Sequence, residues 1–495
     1  MVHHKMIGLK RGQLLRSLLA ILLIGLSWWG VFAARDGLVV RSLERNHVPL
    51  LYLAPPQGHA PGVLIAHGFA GSKQLMLGYG HVLARAGYAV MLWDFDGHGA
   101  NPAALKGFEL QQNLEVALEG LVEQPEVDRD RLALLGHSMG SGVVMSAGIQ
   151  NVERFAATIA ISPTGQNVTP QAPRNLQLQI GAWEGGLLPY AQRLLADAGG
   201  ANLQFAQRQA RELVTVPTVE HITILFSQAS HQAALRWLDA TFGLQSQSKY
   251  VDRRMSWYFL HLVGWLLLLS VMAPGLALSA TLDFEIPRWR KWGGLIASPI
   301  VALGGLLLLN PLIDLQVLGG IQVGGAVGIW FLIAGLSWLG ILGRLPRLSW
   351  QMTGLGVTLF GLLWVAVGAM AQVVWLQWWL IPARLTIWLP IAIACLPWFL
   401  ASGMVQQETR WLTRLAWWFG QSLMLIAGFL LAIVCLPKLG FMFLLLPLFP
   451  LVMALFAVIS SLFNQAWVYA IGNALFFAWL LAAGFPLSAC CLAFE

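Results

Sequence analysis

Gly136-His137-Ser138-Met139-Gly140 sets a serine hydroxyl between glycines two positions to either side. A nucleophile on a sharp strand-to-helix turn has its backbone crowded against its neighbours, and glycine at those two positions relieves the crowding. A bare Gly-x-Ser-x-Gly also arises by chance in a chain with 51 glycines. The flanks argue against chance here: an apolar run at 131–135 precedes the motif, and the small pair Ser141-Gly142 follows it. The chemistry open to such a hydroxyl is attack on an acyl carbonyl, if a base takes its proton and donors hold the oxygen that becomes negative. Two late histidines, His221 and His231, are the candidates for that base. His3-His4, His59, His67, His81 and His98 lack the spacing of a zinc site, and there is no phosphate-binding glycine loop or dinucleotide fingerprint. No metal and no cofactor is expected.

The elements that must position these groups can be read from the pattern. Strands are predicted at 49–53, 62–66, 88–93, 131–135, 156–161, 176–180 and 214–219, each a short apolar run bounded by polar or turn residues. Helices are predicted at 74–86, 109–123, from the elbow to about 149, at 187–198 and at 230–241. Strands alternating with helices over crossovers of this length imply a mostly parallel sheet with flanking helices.

With that order of elements, residues about 50–243 resemble the α/β-hydrolase superfamily. The resemblance is carried by the serine elbow, by His67-Gly68-Phe69-Ala70-Gly71-Ser72-Lys73 after the second strand, and by Asp94-Phe95-Asp96-Gly97-His98-Gly99 after the third. It implies an oxyanion hole made by the backbone N–H groups of Phe69 and Met139. It gives His67 a structural role, and gives the 94–99 loop the task of shaping the rim and holding the early turn. Family order is serine, acid, histidine, which nominates Glu184 after the 176–180 strand, with Asp197 as fallback. The histidine of this family follows the last strand, which favours His221 over His231. Only residues 164–175 stand where many relatives insert a helical cap, so an open pocket is expected, suited to a lipid ester, a lipid-linked molecule or a peptide-like substrate.

Composition divides the 495 residues sharply. Hydrophobic residues make up 57% and charged residues 11%, against roughly 25% charged in soluble domains; mean hydropathy is +0.66. Beyond residue 256 the acids are only Asp283, Glu285, Asp314, Glu408 and Glu495. This excludes a single water-soluble globule, and it excludes disorder. The expected organisation is a cytoplasmic N-terminus and anchor helix (1–34), an extracytoplasmic α/β-hydrolase domain (35–256) and an all-α bundle of about eight transmembrane helices (257–495). Its spans fall near 257–279, 293–311, 322–342, 350–374, 385–403, 415–436, 440–461 and 466–488. The first apolar run, 17–34, reads as an uncleaved signal anchor, with a cleaved signal peptide as the alternative. The run 350–403 can also be divided differently around Pro382 and Pro390.

Lys5, Lys10, Arg11 and Arg16 put the N-terminus inside, and Arg288, Arg290, Lys291, Arg344, Arg347, Arg410 and Arg414 fall in loops that the same count makes cytoplasmic. Arg384 and Lys438 are the exceptions. The net charge of +7 thus belongs to membrane orientation, and a nucleic-acid partner is not expected. The four cysteines, Cys395, Cys435, Cys490 and Cys491, all lie in the apolar half and do not decide the compartment. No acid sits inside a predicted span, which argues against an ion-coupled pump; Asn310, Gln372, Asn464 and Gln465 are expected to cap ends or bond between helices. The reading is a serine hydrolase of the bacterial inner membrane, facing the periplasm or exterior and cleaving an ester, thioester or amide. Its expected partners are the lipid bilayer and an acyl-containing substrate, a lipid or lipid-linked molecule being favoured. An acyltransferase with the same residues, or a non-catalytic sensor or assembly domain, are the alternatives.

Overall fold

The computed structural model describes residues 11–489 apart from 57, 107–109, 277–283 and 408. Expectations that fall on His3, His4, Lys5, Lys10, Glu109, Asp283, Glu408, Cys490, Cys491 and Glu495 lie outside the described residues. The chain divides into two compact units, one of Trp28–Tyr258 with Ala371–Trp379, the other of the remaining residues.

Helix α1, Arg11–Phe32, precedes the sheet. The strands are β1 Val39–Arg45, β2 Val48–Ala54, β3 Ala60–Ala66, β4 Ala89–Trp93, β5 Val127–His137, β6 Phe155–Ile161, β7 Leu176–Gly181 and β8 Arg211–Val216. They form one sheet in the order β1-β2-β4-β3-β5-β6-β7-β8. The pairs β1/β2 and β2/β4 are antiparallel and the other neighbours are parallel. Helices α2 Leu77–Arg85, α3 Gln111–Val122, α4 Met139–Gln150, α5 Leu188–Asp197 and α6 Gln228–Phe242 cover the faces. Successive side chains of a strand point to opposite faces. Val63, Ile65, Val90 and Leu92 accordingly pack with α2 and α6, while Leu64, Ala66, Met91 and Trp93 pack with α3 and α4. Because β3, β5, β7 and β8 run parallel, their C-terminal ends share one edge, and the loops carrying residues 67–73, Ser138, Glu184 and His221 all leave from it.

The mostly parallel sheet with flanking helices is therefore the observed fold. Three strands differ from the pattern, and one of them, β5, runs from Val127 to His137 and so extends past both ends of the predicted 131–135. Strand β1 is half-exposed and carries Arg41, Ser42, Glu44 and Arg45, so it lacks an apolar run. Strand β8 starts and ends three residues before the predicted 214–219, because it opens on Arg211 and Glu212. Arg211 is buried there, its guanidinium donating to the carbonyls of Ala198 at 3.2 Å and Pro170 at 2.9 Å.

The other unit is helical, and the helices after the sheet are α7 Arg254–Leu276, α8 Arg288–Leu309, α9 Gly324–Leu342, α10 Trp350–Leu363, α11 Met370–Val374, α12 Pro382–Gln406, α13 Trp411–Cys435, α14 Leu448–Leu462 and α15 Ala466–Gly484; residues 254–258 of α7 and 371–374 of α11 belong to the sheet unit. A π turn, Trp364–Ala369, joins α10 to α11. Among the described residues eight helices, α1 included, are long and apolar enough to cross a membrane. The count is nine if Pro437–Leu445 and α14 are one span bent by 47°. Pro447 and Pro450, which lack backbone N–H donors, account for that bend within the predicted 440–461 span. Pro382 opens α12 at its first turn, where a proline costs nothing, and α12 then runs through Pro390. Arg384, exceptional as a loop charge, is buried and donates to the carbonyls of Ala482 and Phe485 at the end of α15, where a cation offsets the helix dipole.

Candidate active site

The elbow is built by steric necessity. Ser138 has φ 50° and ψ −120°, a conformation disfavoured for a residue with a side chain. A Cβ on Gly136 would strike the Gly140 carbonyl, and one on Gly140 would strike the carbonyl oxygens of His67 and Ala66. The Ser138 carbonyl is held by the hydroxyls of Ser141 and Thr164 (2.5 and 2.8 Å) and by the Ser141 N–H at 2.8 Å. Its N–H donates to Ile161 O at 2.9 Å, which ties the elbow to β6.

Ser138, His221 and Glu184 lie on one hydrogen-bonded chain. The Ser138 hydroxyl donates to His221 Nε2 at 2.9 Å, and His221 Nδ1–H donates to Glu184 Oε1 at 2.6 Å. Glu184 is only 3% exposed at its side chain, against 22% for His221. Its second oxygen accepts from the Ser162 hydroxyl at 2.9 Å and from Gly181 N–H at 2.7 Å. The tight turn after β7 folds the long glutamate arm back over its own strand end, so the extra methylene does not overshoot the imidazole. A Cβ on Gly181 would lie 2.5 Å from Val219 O and 3.1 Å from Glu184 Oε2. The His221 loop is braced to that turn by Trp183 N–H donating to Val219 O at 3.0 Å. Beside it, Glu220 accepts from Ile222 and Thr223 N–H groups and caps the turn that follows.

The 67–73 turn lies against the elbow: a Cβ on Gly68 would sit 3.2 Å from Ser138 Cβ. His67 Nδ1–H donates to Gly68 O at 2.8 Å and its Nε2 accepts from Phe95 N–H at 3.2 Å. Burial lowers its pKa to about 4, so it is neutral and fixes the turn. Asp94, fully buried, accepts from Lys73 N–H at 2.7 Å and Ala100 N–H at 2.9 Å and pairs with the Lys73 ammonium. Burial opposes its ionisation, but the neighbouring Lys73 prevails and its pKa is lowered. Asp96 accepts from Asn101 and Asn113, and His98 Nδ1–H donates to Asp96 O. The 94–99 loop thus holds the turn rather than facing the serine. Phe69 and Met139, whose N–H groups the resemblance names, are half-buried.

The structure leaves the other candidates outside this chain. Asp197 is exposed at the end of α5. His231 is buried in α6, where its Nε2–H donates to Leu225 O at 2.8 Å and its ring stands edge-on to Tyr79. Three residues here were not anticipated. Ser162 holds the glutamate. His137, inside the elbow motif, donates from Nε2–H to the His221 carbonyl at 2.8 Å; burial, with His221 adding to it, holds its pKa well below the usual imidazole range. Gln377, from the segment between α11 and α12, donates its N–H to Ser72 Oγ at 3.3 Å and accepts from Gln74 Nε2 at 2.6 Å. Only the position of Ser162 directly after a buried strand was visible as a signal. Among the described residues no group of three or more His, Cys, Asp or Glu side chains is arranged to hold a metal ion.

Residues 58–232 match a protein family described as "Serine aminopeptidase, S33". An uncharacterised protein of Mycobacterium tuberculosis is 32% identical over 106 residues, which cover 21% of this chain and 37% of that protein. Epoxide hydrolase A of the same species is 32% identical over 127 residues, 25% of this chain and 38% of that protein. The chain thus spans less than two-fifths of the length of these relatives. Among solved structures, dienelactone hydrolase from Anabaena variabilis aligns over 41% of this chain and 97% of its own, with 18% identity and a TM-score of 0.33.

Proposed function

We propose that the protein, whose residues 58–232 match the family described as "Serine aminopeptidase, S33" on a mostly parallel sheet with flanking helices, is a membrane-bound serine hydrolase that cleaves an ester, thioester or amide, with a lipid or lipid-linked acyl compound as its substrate. The observation that carries this reading is the unbroken hydrogen-bond chain Ser138–His221–Glu184. His221 Nε2 takes the hydroxyl proton as Ser138 Oγ attacks the carbonyl carbon. The oxygen of the tetrahedral intermediate, now negative, is held by the N–H groups of Phe69 and Met139. His221 passes its proton to the leaving group, and the C–O, C–S or C–N bond to that group breaks. Water, deprotonated by the same imidazole, then releases the acyl group from Ser138. Glu184 orients the ring and stabilises its cationic form, and His137 and Ser162 hold the base and the acid from behind.

The apolar helices form the membrane-spanning half, with the N-terminus in the cytoplasm of a bacterial inner membrane and the hydrolase domain outside. The loop charges support this orientation. So does Gln377: α7, α8, α9 and α10–α11 separate the sheet from it, and an even number of crossings returns the chain to the same side. Exposed Trp183, next to Glu184, and the lack of a long insertion at 164–175 favour an amphiphilic acyl substrate.

The test is labelling of the purified full chain with a fluorophosphonate probe, compared with Ser138→Ala. Labelling that disappears in the variant is expected. Equal labelling, or none in folded protein, would favour a non-catalytic sensor domain. For orientation, a reporter inserted within 243–252 should read extracytoplasmic, and a cytoplasmic signal would overturn the topology.

A further inference from the structure

The turn that would present the Phe69 N–H closes on itself through Gly71 N–H to Gly68 O at 3.1 Å, and it is also fastened from outside. Ala70 sits at φ 57°, in the left-handed region, and such a conformation persists only where the surroundings hold it. One end of the turn is fastened by Asp94 through Lys73. The same end is fastened a second time, by a residue 305 positions beyond Ser72. Ser72 Oγ accepts from Gln377 N–H, and Gln74, in the short turn Lys73–Met76 that follows, donates to Gln377 Oε1. Ser72, Gln74 and Gln377 are all more than nine-tenths buried, so water cannot replace a lost bond.

The segment that brings Gln377 is itself built rather than a slack connector. Gln372 Oε1 accepts the N–H groups of Trp378 and Trp379 at 2.7 and 3.0 Å, and Gln372 Nε2 donates to Gln377 Oε1 at 3.2 Å. Gln377 Nε2 donates to Trp379 O at 2.9 Å. Gln377 Oε1 therefore receives two amide donors, one from its own loop and one from the oxyanion side. Ala371–Trp379 belongs to the same compact unit as the sheet, although both flanking helices are apolar enough to span a membrane.

We propose that Gln377 is a positioning residue for the oxyanion turn, so that acyl transfer at Ser138 depends on a loop strung between two helices of the apolar half. The proposal rests on the reading of Ser138 as nucleophile. It implies that the sheet domain excised from the chain would keep Ser138, His221 and Glu184 yet hold its oxyanion donors poorly.

The experiment uses the full chain, with Gln377→Met and Gln74→Met as near-isosteric variants that delete the amide bond from either side. Single-turnover labelling by a fluorophosphonate is followed in time. Ser138 Oγ displaces fluoride at phosphorus, its proton passes to His221, and the phosphonyl oxygen occupies the oxyanion position, so the rate constant reports the turn while the amplitude counts folded sites. Each variant is expected to label roughly tenfold more slowly, the double variant no slower than the worse single one, with kcat for a p-nitrophenyl acyl ester falling in step and KM within about twofold. Wild-type rate constants in both variants would overturn the proposal, as would a loss confined to KM. If one variant yields no folded protein, the other reads the same bond. Absence of Ser138-dependent labelling in the unmutated chain would instead refute the hydrolase reading itself.

Discussion

In the sheet unit, Arg41 grips Glu126 with two bonds at 2.7 Å, Lys73 pairs with buried Asp94, and Arg254 pairs with Asp252. Every ion pair among the described residues lies between Arg41 and Arg254. In the helical unit close approaches of shape stand beside a few buried polar bonds, such as Ser402 to Gln421 at 2.6 Å. Gly335 lets α9 pack backbone to backbone against Pro397 and Trp398 of α12, and the rings of Trp330, Phe331, Trp398 and Phe429 stand 4.9–6.2 Å apart. On the membrane-spanning reading proposed above, helices in lipid gain little from burying apolar surface against one another, and small residues and interlocking rings supply the fit. The sheet unit instead buries charged side chains with partners, and it is this unit that brings Ser138, His221 and Glu184 together.

The sharpest way to break that contrast is chemical. Glu184→Gln removes the charge behind His221 while keeping its shape, and turnover of an acyl ester should fall roughly 10³- to 10⁴-fold, as for an orienting acid. A loss under tenfold would make Glu184 a bystander. Next in size is the elbow. Gly140→Ala forces a methyl onto the His67 carbonyl, and a denaturation series should show the sheet unit about 3 kcal/mol less stable.

Acid should act on the same unit. His67 is neutral in the fold, with a pKa of about 4, but titrates near 6.5 when unfolded. The unfolded chain therefore binds the extra proton between those values. The stability due to its neutral form is complete above pH 6.5, is lost progressively down to about pH 4, and amounts to roughly 3 kcal/mol. An urea midpoint for the sheet unit that stays flat from pH 6.5 to 4 would contradict this. In the helical unit, Gly428→Ala puts a Cβ 2.7 Å from the Trp330 ring, and about 1–2 kcal/mol should be lost equally at pH 7 and pH 5. The smallest effect belongs to half-exposed Arg45, which pairs with Glu119 and Glu123: Arg45→Ala should leave the thermal midpoint unchanged in high salt.

What was legible beforehand follows the same division. Buried parallel strands such as β3 and β7 are short apolar runs, and the loops after them can be located, which is why Ser138, Glu184 and His221 could be singled out by position. Strand β1 could not, because its residues alternate with solvent, and β8 was displaced because buried Arg211 reads as a loop residue. His137 was hidden inside its own motif, where it reads as a spacer. Gln377 was hidden by distance: it lies 303 positions from Gln74 in sequence, and nothing in an apolar stretch marks an amide as belonging to a turn elsewhere. Short-range pattern locates strands and elbows; contacts between remote segments depend on the folded chain.

The central claim is that His221 drives Ser138. It is tested most directly by locating the fluorophosphonate adduct by mass spectrometry in the full chain and comparing its rate of formation with that in His221→Ala. The expected result is a single adduct on Ser138, forming at least roughly 10³-fold more slowly without the imidazole. An adduct on another residue, or an undiminished rate in His221→Ala, would contradict the account.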